Sequence, residues 1–329
     1  MNYRAVIRRA IDTDADAVAL AAARISGDGA AILAAAIARA ADGTLTAITD
    51  KDASPKLAHD GGHVHVLPGI AYLHPARVRA LSVNSCPSAG VCAAHGLCYH
   101  YDPVGAAARY AGVGAARLQR TALAHYAPTV WAAMVDRDIA RIVRAADRAG
   151  MVPAVRLNGL SDIDYRRRPD ADGRTVFDRW PAVQFWDYTR AIRRITGDDG
   201  IRMPANYHLT FSLDAGNDAD AIRALAVGAS VAVLMGGDRP DTWAGVPVID
   251  GDLHDYRFLD PDGVIVALRP KGPYRLTDAG LARAGYGPDA ITAMRRWVRA
   301  GDDGGLNPDR VPTFAGASGP VAGRAGGRD

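Results

Sequence analysis

Six short apolar runs recur between residues 153 and 268. They are 153–157, 182–188, 207–213, 230–235, 246–249 and 264–268. Segments of helical or loop character lie between them, most clearly Asp218–Val227. Continuous apolar runs of this length are what strands buried on both faces require, and helices between them supply the covering layers. The pattern predicts parallel β/α units. With 78–83 as a further strand, running straight into the loop after it, they curl into an open or partial (β/α) barrel.

Upstream, residues 1–50 read as mainly helical. Asp12-Thr13-Asp14 is positioned to cap a run through Ala23, and a second run covers about 30–41 and stops at Asp42-Gly43. A short strand is expected at 63–67, and 105–149 reads as two helices broken near Pro128. The last thirty residues are rich in Gly, Pro and Asp and read as a disordered tail. The division that follows is a helical N-terminal extension (1–75), a barrel-like domain (76–300) and a flexible tail (301–329).

Charge is near balance, at +3 over 329 residues, and the basic side is almost all arginine, with Lys51, Lys56 and Lys271 the lysines. A pI near 8.8 permits nucleic-acid binding without requiring it. No 18-residue apolar stretch is free of charge, so no membrane span is expected. No secretory leader pattern is seen, and the expected compartment is the reducing cytoplasm.

All three cysteines lie within thirteen residues: Cys86, Cys92 and Cys98, with His95 between them and His100 two residues beyond. Pro87, Ser88, Gly90 and Gly96 make this a loop. Clustered thiolates are what a metal ion or an iron–sulfur cluster needs. Three leave a fourth position to be filled from elsewhere, by His95 or His100 in a closed Cys3His zinc site, or left open for chemistry. In a parallel β/α sheet the chemistry gathers at the carboxyl ends of the strands. Polar residues close successive runs there: Asn158, Ser161 and Asp162, then Asp187, then Ser212, with Gly159 allowing close backbone approach. The bland alternative for each is a turn or cap residue.

Three further groups admit two readings. Asp250, Asp252, His254 and Asp255 are dense enough to hold a hard divalent ion, or form a turn whose carboxylates accept backbone N–H groups with Arg257 as ion partner. His63-Val64-His65 matches the metal strand of DNA-nicking enzymes, with Tyr99, Tyr101 or Tyr165 as nominal nucleophile. Arg166-Arg167-Arg168 reads as a phosphate contact or an exposed basic turn.

Several blocks together carry a resemblance. They are the Cys-Pro loop at 86–99, 152–162 from Val-Pro-Ala-Val-Arg-Leu-Asn-Gly, 183–190, 204–212 and 250–261 with its continuation to Lys271-Gly272. Over about 78–275 the chain resembles the bacteriophage and prophage gene product 88 family, a resemblance that implies no activity. It is also similar to radical S-adenosylmethionine enzymes, which carry three cysteines in a loop after the first barrel strand. The intervals here, five and five residues, are wider than theirs. That likeness implies a [4Fe-4S] cluster on Cys86, Cys92 and Cys98. It implies S-adenosylmethionine or substrate oriented by Asn158, Gly159, Ser161 and Ser212, with Asp162 and Asp187 as catalytic candidates. The substrate expected is a small molecule, a nucleotide or a nucleic acid. The alternatives left open are a zinc-stabilised nucleic-acid-binding protein and a metal-dependent DNA nickase.

Overall fold

The computed structural model describes residues 1–49, 57, 65–89, 111–213, 217–234, 239–243 and 245–269. Its centre is one eight-stranded sheet. The strands are β1 (Val66–Ile70), β4 (Val152–Arg156), β5 (Gln184–Thr189), β6 (Tyr207–Ser212), β7 (Val231–Leu234), β8 (Thr242–Trp243), β9 (Val246–Asp250) and β10 (Ile265–Leu268). They stand in the order β1-β4-β5-β6-β7-β10-β9-β8, and every neighbouring pair is parallel except β8 with β9. From β1 to β7 spatial order follows chain order, so the sheet winds in one direction. In the described pairings it stays open, with β1 at one edge and β8 at the other.

The helices are α1 (Tyr3–Arg24), α2 (Gly27–Asp42), α3 (Ala111–Tyr126), α4 (Pro128–Ala149), α5 (Val176–Arg179), α6 (Ile192–Thr196) and α7 (Asp218–Ala226). Strand alternation sends Val155, Phe185 and Leu209 to one face, where they share a core with Ile7 of α1, Ala36 of α2 and Ile139 and Ile142 of α4. Val231, Val233 and Ile265 continue this face against Ala221 and Ala224 of α7. Side chains on the opposite face, Val66, Ile70, Ala154 and Trp186, meet Tyr256, Phe258 and Leu259 instead. One face is therefore covered by helices and the other, in part, by the segment 254–262.

Local chemistry explains the helix ends. Pro128 opens α4, where its missing N–H leaves no bond unmade, and Gly150 closes it with φ 64°. Two expectations are corrected. Asp14 does not cap the first helix, which starts at Tyr3 behind Asn2. Asp14 lies buried in mid-α1, and its carboxylate accepts the Val130 N–H at 2.9 Å, so it caps α4 across space. The residue before Pro128, Ala127, has no side-chain acceptor to do so. Residues 78–83 are not a sheet strand. Val78 and Val83 belong to a separate antiparallel hairpin, β2 (Arg77–Val78) and β3 (Val83–Asn84), turned at Ser82 with φ 52°. The first sheet strand is β1. Among the described residues no helix is long and apolar enough to cross a membrane.

Candidate functional site at the carboxyl edge of the sheet

The hairpin delivers Cys86 to the carboxyl edge. The Asn84 side chain accepts the Cys86 N–H at 3.0 Å, a local turn that fixes the residue's entry. Ser85 is fully buried, its N–H donates to the Ala76 carbonyl at 3.0 Å, and its own carbonyl accepts the Asp162 N–H at 2.8 Å. The Ser85 hydroxyl sits 3.4 Å from His125 Nε2. The Cys86 thiol donates to the Leu160 carbonyl and its sulfur accepts the Ala76 N–H, both at 3.4 Å. Ala76 holds φ 54°, a conformation that disfavours a residue with a Cβ, and it is this residue's N–H that meets the sulfur. The start of the cysteine loop is thus tied to the turn that follows β4. Cys92, Cys98, His95, His100, Tyr99, Tyr101 and His63 lie outside the described residues. His65 is exposed just before β1.

Beneath that turn, on the helical face, Asn158, Ser161, Asp162 and Asp187 do come together. Asp187 accepts from the Asn158 N–H at 2.8 Å, from Asn158 Nδ2 at 3.0 Å and from the Tyr207 hydroxyl at 2.9 Å. Asn158 Oδ1 accepts the Ser161 hydroxyl and the Ile163 N–H, both at 2.8 Å. Asp162 accepts from Arg194 at 2.6 Å, Thr189 at 3.1 Å and the Arg190 N–H at 3.2 Å. Arg194 reaches on to the Tyr207 hydroxyl at 2.9 Å. Burial pushes the Asp187 carboxyl up to about 6, against the pull of the Arg156 charge. Gly159 is needed for packing: a Cβ there would lie 2.6 Å from the Tyr72 ring and 2.7 Å from Ile70. Ser212 is not part of this group. Its register partner is Ala232, on the opposite face, and its carbonyl accepts Asn217 Nδ2 at 3.1 Å.

That opposite face holds a second polar group. Arg156 pairs with Asp255 at 2.7 Å and lies 4.7 Å over the Tyr188 ring, while the Tyr188 hydroxyl donates to Asp255 at 2.9 Å. The acidic cluster is dispersed around it. Asp250 accepts the Asp252 N–H at 2.8 Å, Asp252 accepts the Arg269 N–H at 2.9 Å, and His254 lies 3.7 Å from Asp260. Arg257 pairs with Asp260 at 3.0 Å. No group of three or more His, Cys, Asp or Glu converges as a metal site among the described residues. The divalent-ion reading of Asp250, Asp252, His254 and Asp255 is corrected to a turn whose carboxylates are taken up by backbone N–H groups and arginine.

A family model described as gene product 88 matches residues 41–285. The chain belongs to the gene product 88 family. No curated protein and no solved structure matches it.

The gene product 88 match spans all ten strands of the described residues, the cysteine-bearing stretch of the sequence and both polar groups, while α1 lies before it. Two residues within it depart from their sequence reading, while Arg167, between Arg166 and Arg168, is exposed as an outward basic turn would have it. Arg166 is not an exposed basic turn: its side chain is 1% exposed and pairs with Asp164 at 2.9 Å and with Asp199. Tyr165 is buried in the core, where desolvation pushes its phenol up to about 12, so it does not serve as an exposed nucleophile. The Arg156, Tyr188 and Asp255 set was missed. A signal for it was present: Arg156 and Tyr188 hold polar or amphipathic places on the strand positions that alternate with Val155 and Phe185.

Proposed function

We propose that this gene product 88 protein is an iron–sulfur enzyme built on an open β/α barrel, with Cys86, Cys92 and Cys98 as cluster ligands at the carboxyl edge. The observation that carries the reading is the seating of Cys86 beside the turn after β4, with a backbone N–H aimed at its sulfur. An N–H bond to sulfur favours the thiolate, the form that ligates metal. A residue at positive φ supplies it, and strained backbone held in place beside a ligand set is a functional signal. Ligation releases the thiol proton that is otherwise hydrogen-bonded to the Leu160 carbonyl, so metal affinity rises with pH.

Three thiolates leave one position for a small molecule, and S-adenosylmethionine is the one proposed. A [4Fe-4S] cluster bound there would supply the electron for its reductive cleavage. This chain's own residues position Ser85 and Cys86. Asp162 ties its backbone to Ser85 and its carboxylate to Arg194, while Asn158 and Asp187 fix the turn that carries Leu160. The substrate proposed is a nucleotide or nucleic acid, in keeping with a phage-type family.

The test is anaerobic purification with iron, sulfide and zinc analysis. Expected are about four irons and four sulfides per chain after reconstitution, lost in Cys86→Ser. A change in the reduced cluster's electron paramagnetic resonance on adding S-adenosylmethionine, with release of 5′-deoxyadenosine, is expected too. Stoichiometric zinc without iron would overturn the reading in favour of a closed site completed by His95 or His100.

A further inference from the structure

The sheet face turned away from the helices carries buried donors that nothing accepts. Trp186 Nε1, Arg156 Nε and Arg257 Nε make no hydrogen bond, and each can only donate. Thr210 Oγ1 and His208 Nε2 are buried and unbonded as well. These groups are neighbours: Trp186 stands opposite His208 and Tyr188 opposite Thr210 on β5 and β6. Arg156 covers the Tyr188 ring, and Phe258, next to Arg257, packs on Trp186 with ring centres 5.6 Å apart. The nearby carboxylates are engaged, Asp255 by Arg156 and Tyr188, Asp260 by Arg257. Native interiors rarely leave polar groups unpaired, and here unbonded donors outnumber unbonded acceptors: Asp260 Oδ2 is ion-paired with Arg257 but makes no hydrogen bond. Toward the carboxyl end the face opens: Tyr188, Ser212 and Leu268 are only partly buried.

We propose that this face binds an oxyanion of the substrate, a phosphate or a carboxylate, on Arg156 and Tyr188, in the place Asp255 now fills. Asp255 is a carboxylate that comes from the covering segment and takes donors from two strands. An incoming oxyanion offers the same acceptors and competes for the same two groups. With Asp255 displaced, segment 254–262 is released from its polar tie to the sheet, and Trp186 and Arg257 behind it gain an acceptor-rich neighbour. The charge count agrees: the Asp260 carboxyl is pushed by burial up to about 6, so one negative charge of the face is readily neutralised as an anion enters.

The proposal rests on reading the carboxyl edge as the working edge, and its test is kept separate from the metal. The full chain is titrated with inorganic phosphate and, separately, acetate, against chloride of equal ionic strength. The readout is the Trp186 indole N–H resonance, identified by its loss in Trp186→Phe. Expected are saturable shifts, binding at least threefold tighter in Asp255→Asn and at least tenfold weaker in Arg156→Gln. Response to phosphate alone assigns a phosphate-bearing substrate, and response to acetate alone a carboxylate. No response to either overturns the proposal. So does unchanged affinity in Asp255→Asn, which decides the matter if Arg156→Gln does not fold. The titration is repeated on Cys86→Ser: anion binding there, beside a wild-type chain that takes up no iron, would sink the cluster reading and leave this one standing.

Discussion

The two faces of the sheet treat their carboxylates and strand-borne polar groups differently, although the helical face also leaves Trp131 Nε1 and the Tyr165 hydroxyl without partners. On the helical face, Asp187 takes three hydrogen bonds, Asn158 uses both ends of its amide, and Asp162 takes three donors from the end of β5 and the residues after it. On the other face, one residue away along the same strands, Trp186, His208 and Thr210 keep buried atoms without partners. In the helical-face network every carboxylate oxygen of Asp162 and Asp187 is paired, although Arg194 Nε makes no hydrogen bond, and the network holds Ser85 and Cys86 to the turn after β4. Buried polar atoms without partners cost stability, and on the other face the proposed oxyanion would supply the missing acceptor. The difference separates scaffold from surface at a place where both consist of polar residues at strand ends.

The largest effect tests the helical face. Asp187→Ala strips the acceptor from two Asn158 donors and the Tyr207 hydroxyl inside a dry core. We predict a loss of about 4 kcal/mol in urea unfolding of the full chain. Asp187→Asn, which keeps one acceptor oxygen, is expected to lose less than half of that. A loss under about 1 kcal/mol in the alanine variant would mean that the network is not the scaffold.

The next concerns His125, which touches Ser85 beside the cysteine. Burial, with Arg168 adding repulsion, pushes its imidazole down to about 4. The unfolded chain takes up this proton below its ordinary value of 6.5, and the folded chain does not until about 4. The contribution to stability is therefore complete above about pH 6.5 and lost as pH falls toward 4, by at most about 3 kcal/mol. His125→Gln should flatten that part of the stability profile. Asp187 has the opposite sign, because its pKa is raised from 3.8 to about 6, so its contribution is lost as pH rises between those values. A His125→Gln profile that falls toward acid as steeply as wild type would refute the assignment.

How much of this was legible follows from what is local. The strands from β4 on announced themselves because parallel strands buried on both faces are continuous apolar runs, and six fell where expected. Val78 to Val83 failed because an alternating apolar pattern looks the same in a two-residue hairpin, and the turn at Ser82 rests on φ, which composition does not show. Asp14 failed because a cap acting across 116 residues leaves no mark near its own helix. Asn158, Asp162 and Asp187 were legible as polar strand ends, but which face each would join was not. Arg156 and Asp255 are 99 residues apart, and the ion pair exists only through β4 and the covering segment. Arg166 looked exposed because its partner Asp199 is 33 residues away.

A third prediction asks whether Gly159 serves the scaffold. Gly159→Ala places a methyl 2.6 Å from the Tyr72 ring. Either the ring or the turn shifts, at about 2 kcal/mol. A shift of the turn moves the Leu160 carbonyl away from Cys86, so metal retained after purification should fall along with the urea midpoint. Lost stability with unchanged metal would place the glycine in packing alone.

The smallest effect is the sharpest, because its sign differs between the faces. Thr189 and Thr210 are both buried threonines on adjacent strands. The Thr189 hydroxyl donates to Asp162 at 3.1 Å and accepts the Ala191 N–H at 3.0 Å. The Thr210 hydroxyl has neither donor nor acceptor. Valine keeps the shape of each and removes the hydroxyl. Thr189→Val leaves the Ala191 N–H without its acceptor and takes one of three donors from Asp162, and should destabilise by about 1–2 kcal/mol. Thr210→Val removes a hydroxyl that was desolvated for nothing and should stabilise the ligand-free chain by about 1 kcal/mol. The same variant should weaken phosphate binding if that hydroxyl donates to the bound oxyanion, so stability and affinity move in opposite directions. If both valines destabilise equally, Thr210 has a partner in the native protein, and the contrast between the faces fails at that strand.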